Sequence, residues 1–255
     1  MRRAEKVMLI CSIFYLIMGS FLNGKALADY EDGILPELNL KASSTLSIYN
    51  KYVWRGITLD TDPVLQPGVD INGYGFTLSF WSSFDADNND AANSDEVDFT
   101  VDYTRDFEYL SVSLGHTNYD FPATAFYSKE WYIGIAAPKL FLKPTLTFYR
   151  DYGKEANGGG DGEYVNIGIS HTLALMESPA ITLDLAAGLG FNNELFIRGE
   201  GGDFLITAGL GIPLTKNAVL SPSFSYAAPF SDLKDSNDGN QKNRTYGGVS
   251  FAVNF

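Results

Sequence analysis

Cysteine is almost absent from this chain of 255 residues: Cys11 is the single one, and it lies inside an apolar run near the N-terminus. The preceding Met8-Leu9-Ile10 lacks the small residue expected before a lipidated cysteine, which argues against a lipoprotein. Arg2, Arg3 and Lys6 precede that run, Val7 to Leu22, and Ala26-Leu27-Ala28 follows it with small residues at the two positions a signal peptidase requires. Residues 1–28 are therefore expected to be a cleaved secretory signal peptide, with Asp29 the mature N-terminus. The exported chain then has no cysteine, which removes disulfides, thiolate nucleophiles and cysteine metal sites. Only two histidines occur, His116 and His171. Basic residues are scarce as well, 18 Lys and Arg against 31 Asp and Glu for a net charge of −13. Loss of residues 1–28 removes a net three positive charges and leaves −16. Such a balance argues against nucleic acid as a partner. No other segment approaches the twenty apolar residues of a spanning helix, so a membrane protein is possible here only as a β-barrel.

What is present in quantity is alternation. The chain ends on Val249, Phe251, Val253 and Phe255 interleaved with Ser250, Ala252 and Asn254, a strand that carries an apolar face to the carboxylate. Terminal alternation of this kind suits a closing barrel strand whose apolar face meets lipid. Its final Phe255 is also expected to be read by the outer-membrane insertion machinery. Period-two runs recur near 44 to 55, 64 to 71, 76 to 84, 96 to 104, 109 to 118, 129 to 137, 144 to 151, 163 to 171, 180 to 189, 203 to 211, 218 to 226 and 246 to 255. Within each run the large apolar residues share one parity, as Val97, Phe99, Val101 and Tyr103 do. The other parity is mostly Ser, Thr, Gly, Ala, Asn and Asp. That second face is too small and polar for the core of a sandwich and fits a wet lumen. The expected fold is all-β, a transmembrane antiparallel up-and-down barrel of about twelve strands occupying 29–255 as one domain.

Connections alternate in length. Gly56 to Pro63, Asp85 to Asp95, Tyr119 to Ser128, Tyr152 to Gly162, Gly190 to Gly202 and Ala227 to Thr245 alternate with shorter links, among them Asn72-Gly73-Tyr74-Gly75, where Asn-Gly reads as the hairpin dipeptide. Long outer loops, short periplasmic turns and both chain ends on the periplasmic side follow for an even-stranded barrel. Aromatics gather at strand ends: Trp54, Trp81, Phe84, Tyr119, Tyr149, Tyr152, Tyr164, Phe191, Phe204, Tyr226 and Tyr246 at the loop ends, and Tyr74, Phe76, Tyr103, Phe107, Tyr109, Phe141 and Phe255 at the turn ends. Two lipid-interface girdles would account for them.

The segment Ile48-Tyr49-Asn50-Lys51-Tyr52-Val53-Trp54-Arg55-Gly56-Ile57-Thr58, followed by Gln66-Pro67-Gly68-Val69-Asp70 and by Gly75 through Ser83, resembles the opening of the TorF-family porins of Gram-negative bacteria. The specific match covers roughly residues 44 to 84. The resemblance implies an outer-membrane barrel of porin type and leaves the transported solute unassigned.

Parity places Lys51, Arg55, Asp70, Asp98, Asp102, Glu130 and Asp184 on the lumen side as candidate pore-lining residues. Two cations then face five acids, and such charges set ion preference in a narrow pore. Alternatively they pair across the lumen and plug it. Arg55 is the strongest structural member, since its fork of donors at a strand end can tie down a carbonyl or carboxylate. Twelve strands about 4.8 Å apart and tilted about 40° give a backbone diameter of roughly 24 Å and a lumen of about 10 to 14 Å. The acidic loop places Asp85, Asp87 and Glu96, with Asn89 and Asn93, at calcium-loop spacing. However, Asp90 sits where that loop needs glycine and the flanks are strands. No metal site or cofactor is therefore expected, with that loop as the weak candidate. His116 shares the lipid-facing parity of Leu114 and has no nucleophile motif beside it, and His171 lies at the opposite strand end, so an enzyme is not expected. The expected function is passive diffusion of small polar or ionic solutes through the outer membrane, with weak cation preference. Lipid, lipopolysaccharide and the insertion machinery are the expected partners. The rivals are a non-conducting surface-loop binding or adhesion barrel and an outer-membrane lipid-modifying enzyme.

Overall fold

The computed structural model describes residues 39–86, 95–122, 124, 126–153, 161–195, 199–239 and 241–255. Among them, strands β1 (Lys41–Tyr49), β4 (Val64–Gly73), β5 (Phe76–Asp85), β6 (Glu96–Asp106), β7 (Ser111–Phe121), β8 (Phe126–Ala136), β9 (Thr145–Asp151), β10 (Glu163–Ala174), β11 (Thr182–Asn193), β12 (Glu200–Pro213), β13 (Ala218–Ser231) and β14 (Arg244–Asn254) form one closed antiparallel barrel. The twelve expected strands are there. Two short strands, β2 (Tyr52–Trp54) and β3 (Ile57–Asp60), form a separate hairpin between β1 and β4, and helix α1 (Asp232–Gly239) lies between β13 and β14. The expected signal peptide lies outside the described residues, as do Asp87, Asn89, Asp90 and Asn93 of the acidic loop.

Closure is made by β14 against β1, from Ser43 opposite Asn254 to Tyr49 opposite Gly248. Phe255 continues this ladder beyond the last strand residue, its N–H donating to the Ala42 carbonyl at 2.8 Å. The backbone of the last residue thus takes part in sealing the wall.

Every barrel strand turns a large apolar side chain to the outside: Ile48, Ile71, Leu78, Phe99, Leu114, Ile133, Leu146, Ile167, Leu185, Ile206, Phe224 and Val249 are all exposed. Among the described residues no second sheet covers them. In water such a ring would expose far more contiguous apolar surface than a soluble monomer tolerates, whereas in hydrocarbon it is solvated. Among the described residues no helix is long and apolar enough to cross a membrane, and the strands satisfy their own backbone groups by closing.

Three expectations about connections are corrected. The two-residue turn between β4 and β5 is Tyr74-Gly75, both at positive φ (55° and 84°), and not Asn72-Gly73. Asn72 instead pairs opposite Thr77 and accepts its hydroxyl at 2.7 Å. The run expected from 44 to 55 is two strands. Asn50 ends the first by exchanging two bonds with Gly247: its N–H donates to the Gly247 carbonyl, and its side-chain Oδ1 accepts the Gly247 N–H. The link after β7 is not long, because β7 and β8 remain paired out to Phe121 and Phe126.

Candidate functional site

After Asn50 the chain leaves the wall and crosses the lumen. Its tip is Arg55-Gly56, both at positive φ (47° and 76°) between the paired Trp54 and Ile57, the geometry of a type I′ turn. Gly56 meets that requirement freely. Arg55 meets it at a cost, since a side chain other than Gly or Asn is disfavoured there. A Cβ on Gly56 would also lie 2.6 Å from Asp203 Cβ and 3.0 Å from Leu233 Cδ2, so the turn backbone is pressed against β12 and α1. Ile57 and Leu233 are buried together, with Trp54 and Leu59 packed around them. This small apolar core seats the hairpin. Thr58 adds two polar ties, its N–H donating to Gln241 Oε1 at 3.0 Å and its hydroxyl accepting from Arg244 Nε at 3.0 Å.

The destination of Arg55 is the opposite wall. In the closed order of strands β9 and β10 lie across from the β1–β4 junction. Five residue steps from Asn50 cover about 16 Å at roughly 3.3 Å each, enough with an arginine side chain to span the lumen. The guanidinium donates to both oxygens of Glu130 on β8, at 2.7 and 2.9 Å. It lies over the rings of Trp54, Tyr149 and Tyr164 at 4.4, 4.1 and 4.5 Å from their centroids. Tyr119 donates to Glu130 Oε1 at 3.0 Å. Side-chain exposure is 10% for Arg55 and 1% for Glu130, so this is a desolvated ion pair. Burial by itself disfavours the cation, but the hydrogen bonds to Glu130 and its charge outweigh it and raise the pKa of Arg55. At the base of the hairpin Tyr52 donates to Glu96 Oε2 at 2.8 Å. Burial and the nearby carboxylates of Glu96 and Asp98 push that hydroxyl well above the ordinary tyrosine range, which keeps it a donor.

Among the described residues, none of the other expected lumen residues is hydrogen-bonded to Arg55. Asp70 accepts from Ser79 at 2.6 Å and Ser43 at 3.3 Å. Asp102 accepts from Tyr132 and Thr104, each at 2.7 Å; Gly115, opposite Tyr132 in the ladder, leaves the space its ring crosses. Asp184, near the turn end, accepts from Thr172 at 2.8 Å and Thr182 at 3.1 Å. Lys51 sits half-buried between β1 and β2. Asp98 faces Tyr119 across the ladder, and its Oδ1 is buried without a hydrogen-bond partner. Of the acidic loop, Asp95 Oδ1 accepts the Asp85 N–H at 3.3 Å, while Glu96 belongs to the lumen wall. Among the described residues no group of three or more His, Cys, Asp or Glu is arranged to hold a metal ion.

The loop-end girdle requires correction. Trp54, Trp81, Tyr119, Tyr149, Tyr164 and Tyr246 are inside. Trp81 packs on Tyr52 at 5.6 Å, Trp54 on Tyr119 at 6.1 Å, Tyr149 on Tyr164 at 5.9 Å, and Tyr246 pairs opposite the lumen-facing Ser225. Tyr164 also donates to Asp203 Oδ1 at 2.8 Å. Parity carried the signal: Tyr119 alternates with Leu114 and His116, and Tyr164 with Val165. Tyr152 and Phe191 stay outside, both exposed. His116 faces outward as expected, bonded to the Tyr152 hydroxyl at 2.6 Å and packed on Trp131. His171 is also outside, with Nδ1 2.9 Å from the Phe141 carbonyl.

Beyond the hairpin the lumen is lined differently. Two cavities of about 270 and 410 Å³ lie along the β9–β14 side. Thr145, Asn166, Ser170 and Thr207 line the first, and Tyr49, Thr172, Asp184, Ser221, Ser223 and Ser250 the second. Hydroxyls pair across this wall, as in Ser47 with Ser250 at 2.7 Å and Thr207 with Ser225 at 2.8 Å.

Residues 36–200 match a family described as bacterial proteins of unknown function, Gcw_chp. The chain belongs to the Gcw_chp family. This match does not confirm the TorF resemblance. No curated protein sequence matches. Among solved structures the barrel is similar to the porin KdgM, determined in complex with disordered oligogalacturonate, at 12% identity and a TM-score of 0.54 over 84% of this chain and 99% of that one. It is also similar to the porin NanC, at 8% identity and a TM-score of 0.53 over 82% and 98%. At such identities the likeness shows this Gcw_chp member to share the fold of outer-membrane porins.

Proposed function

We propose that this Gcw_chp protein is an outer-membrane channel for passive diffusion of small polar or ionic solutes, weakly preferring cations, and that the Arg55 hairpin forms its constriction. The observation that carries the reading is the contrast between an apolar outer ring and a lumen of hydroxyls, glycines and carboxylates. A wall lined in this way is useful only if water fills it. Arg55 is already paired with Glu130, and the surplus of lumen carboxylates, Asp70, Asp102 and Asp184, favours cationic passage. The same surplus opposes oligogalacturonate, a chain of carboxylates, so the molecule in the KdgM complex is not carried over to this chain. The hairpin supports a second reading, a closed barrel that works through its outer loops. Single-channel recording of refolded protein decides between them: discrete conductance is expected, and a barrel that inserts without ever conducting would sink the channel reading.

A further inference from the structure

We infer that the cage around Arg55 is a binding site for guanidinium and related organic cations, and that Arg55 is its tethered occupant. Four of its parts belong to the barrel wall, namely Glu130 and Tyr119 with the ring faces of Tyr149 and Tyr164; only Trp54 arrives with the hairpin. A carboxylate presented edge-on to accept two parallel N–H bonds, flanked by aromatic faces, is the chemistry that recognises a planar delocalised cation. The site is thus built into rigid strands, while its occupant sits on a turn whose arginine adopts an unfavourable left-handed conformation. Asp98 gives a second, independent sign. It lies beside this centre, across the ladder from Tyr119, with a buried oxygen that no donor reaches. One guanidinium answers Glu130 and leaves that oxygen unanswered, so a solute with a further donor, such as a second amino group, would be held better than the side chain now in place. A cation entering from the loop side would displace Arg55 and pass on to the hydroxyl-lined cavities. This last step rests on the channel reading; the binding step does not.

The test uses the refolded full chain as Arg55→Ala, which opens a guanidinium-sized space against Glu130. Guanidinium chloride is titrated at fixed ionic strength with NaCl as the balancing salt, while tryptophan emission and single-channel current are followed. Saturable binding at millimolar concentration is expected, at least tenfold tighter in Arg55→Ala than in the parent and lost in Arg55→Ala combined with Glu130→Gln. Equal guanidinium response in the single and double variants would overturn the site. Conductance without guanidinium binding overturns the site and leaves the channel standing; binding without conductance does the reverse. Should Arg55→Ala fail to refold, the parent decides: guanidinium at up to about 200 mM must shift tryptophan emission where equal NaCl does not, and an unchanged spectrum overturns the inference.

Discussion

Replacing Glu130 by glutamine tests whether the ion pair seats the hairpin. The change keeps the shape of the side chain and removes the charge that answers Arg55 in a site where the two side chains are 10% and 1% exposed. Breaking a buried pair costs about 3 to 5 kcal/mol because the remaining charge is left uncompensated. Glutamine retains one carbonyl acceptor, so the lower end applies, about 3 kcal/mol. Much of that cost is avoided if the hairpin leaves the lumen, since Arg55 then regains water. At about 1.4 kcal/mol per factor of ten, the seated-to-released equilibrium should shift roughly a hundredfold toward release. Trypsin reads this directly, because cleavage after Arg55 requires the turn to come out. When opening is fast relative to cleavage, the rate follows the open population, so the Arg55–Gly56 bond of Glu130→Gln should be cut about a hundredfold faster, with longer dwell in a wider conducting state. A cleavage rate within threefold of the parent would refute the reasoning. So would general cleavage along the strands, which would mean that the barrel had been weakened instead.

The double change Asp98→Asn with Asp102→Asn should reduce a weak cation preference measured by reversal potential in a KCl gradient, and the parent preference should fade near 1 M salt, where the screening length is about 3 Å; anion preference in the parent would contradict it. Deleting Phe255 removes the N–H bonded to Ala42 at 2.8 Å, so outer-membrane levels should fall while export to the periplasm continues, and equal levels of deletion and parent would show that the closing strand does not need it. His116→Ala loses one hydrogen bond to Tyr152 on the outer surface, worth about 1 kcal/mol, and should leave conductance unchanged; loss of a lipid-hydrolysing activity in that variant would support the enzyme rival.

Wall and lumen were legible in the sequence because strand alternation is a local code. A residue's face follows from its own run, so Val97, Phe99 and Val101 could be placed against Asp98, Thr100 and Asp102 before any pairing was known. Aromatics at strand ends were misread because two causes put them there. A ring at a wall boundary serves a lipid interface when it faces out and a constriction when it faces in, and composition alone does not separate these. Only parity does, and applied to Tyr119, Tyr164 and Trp81 it gives the inward answer that the structure shows.

The hairpin was hidden for a different reason. Tyr52-Val53-Trp54 continues the alternation of Leu46 and Ile48 well enough to read as one strand through to Trp54, and the break is made by Asn50 bonding Gly247, a residue 197 positions away. Arg55 invited the expectation of a tie to some carboxylate; that the carboxylate is Glu130 follows only once closure sets β8, β9 and β10 across from the β1–β4 junction. The same closure couples two properties that sequence reading treats separately. On the channel reading, the seated hairpin narrows the mouth and neutralises Glu130, and its release widens the mouth and leaves Glu130 without its cation. On that reading the wider state is also the more acidic one, so size and charge selectivity are expected to change together, in the direction that admits larger cations and gives anions no corresponding advantage.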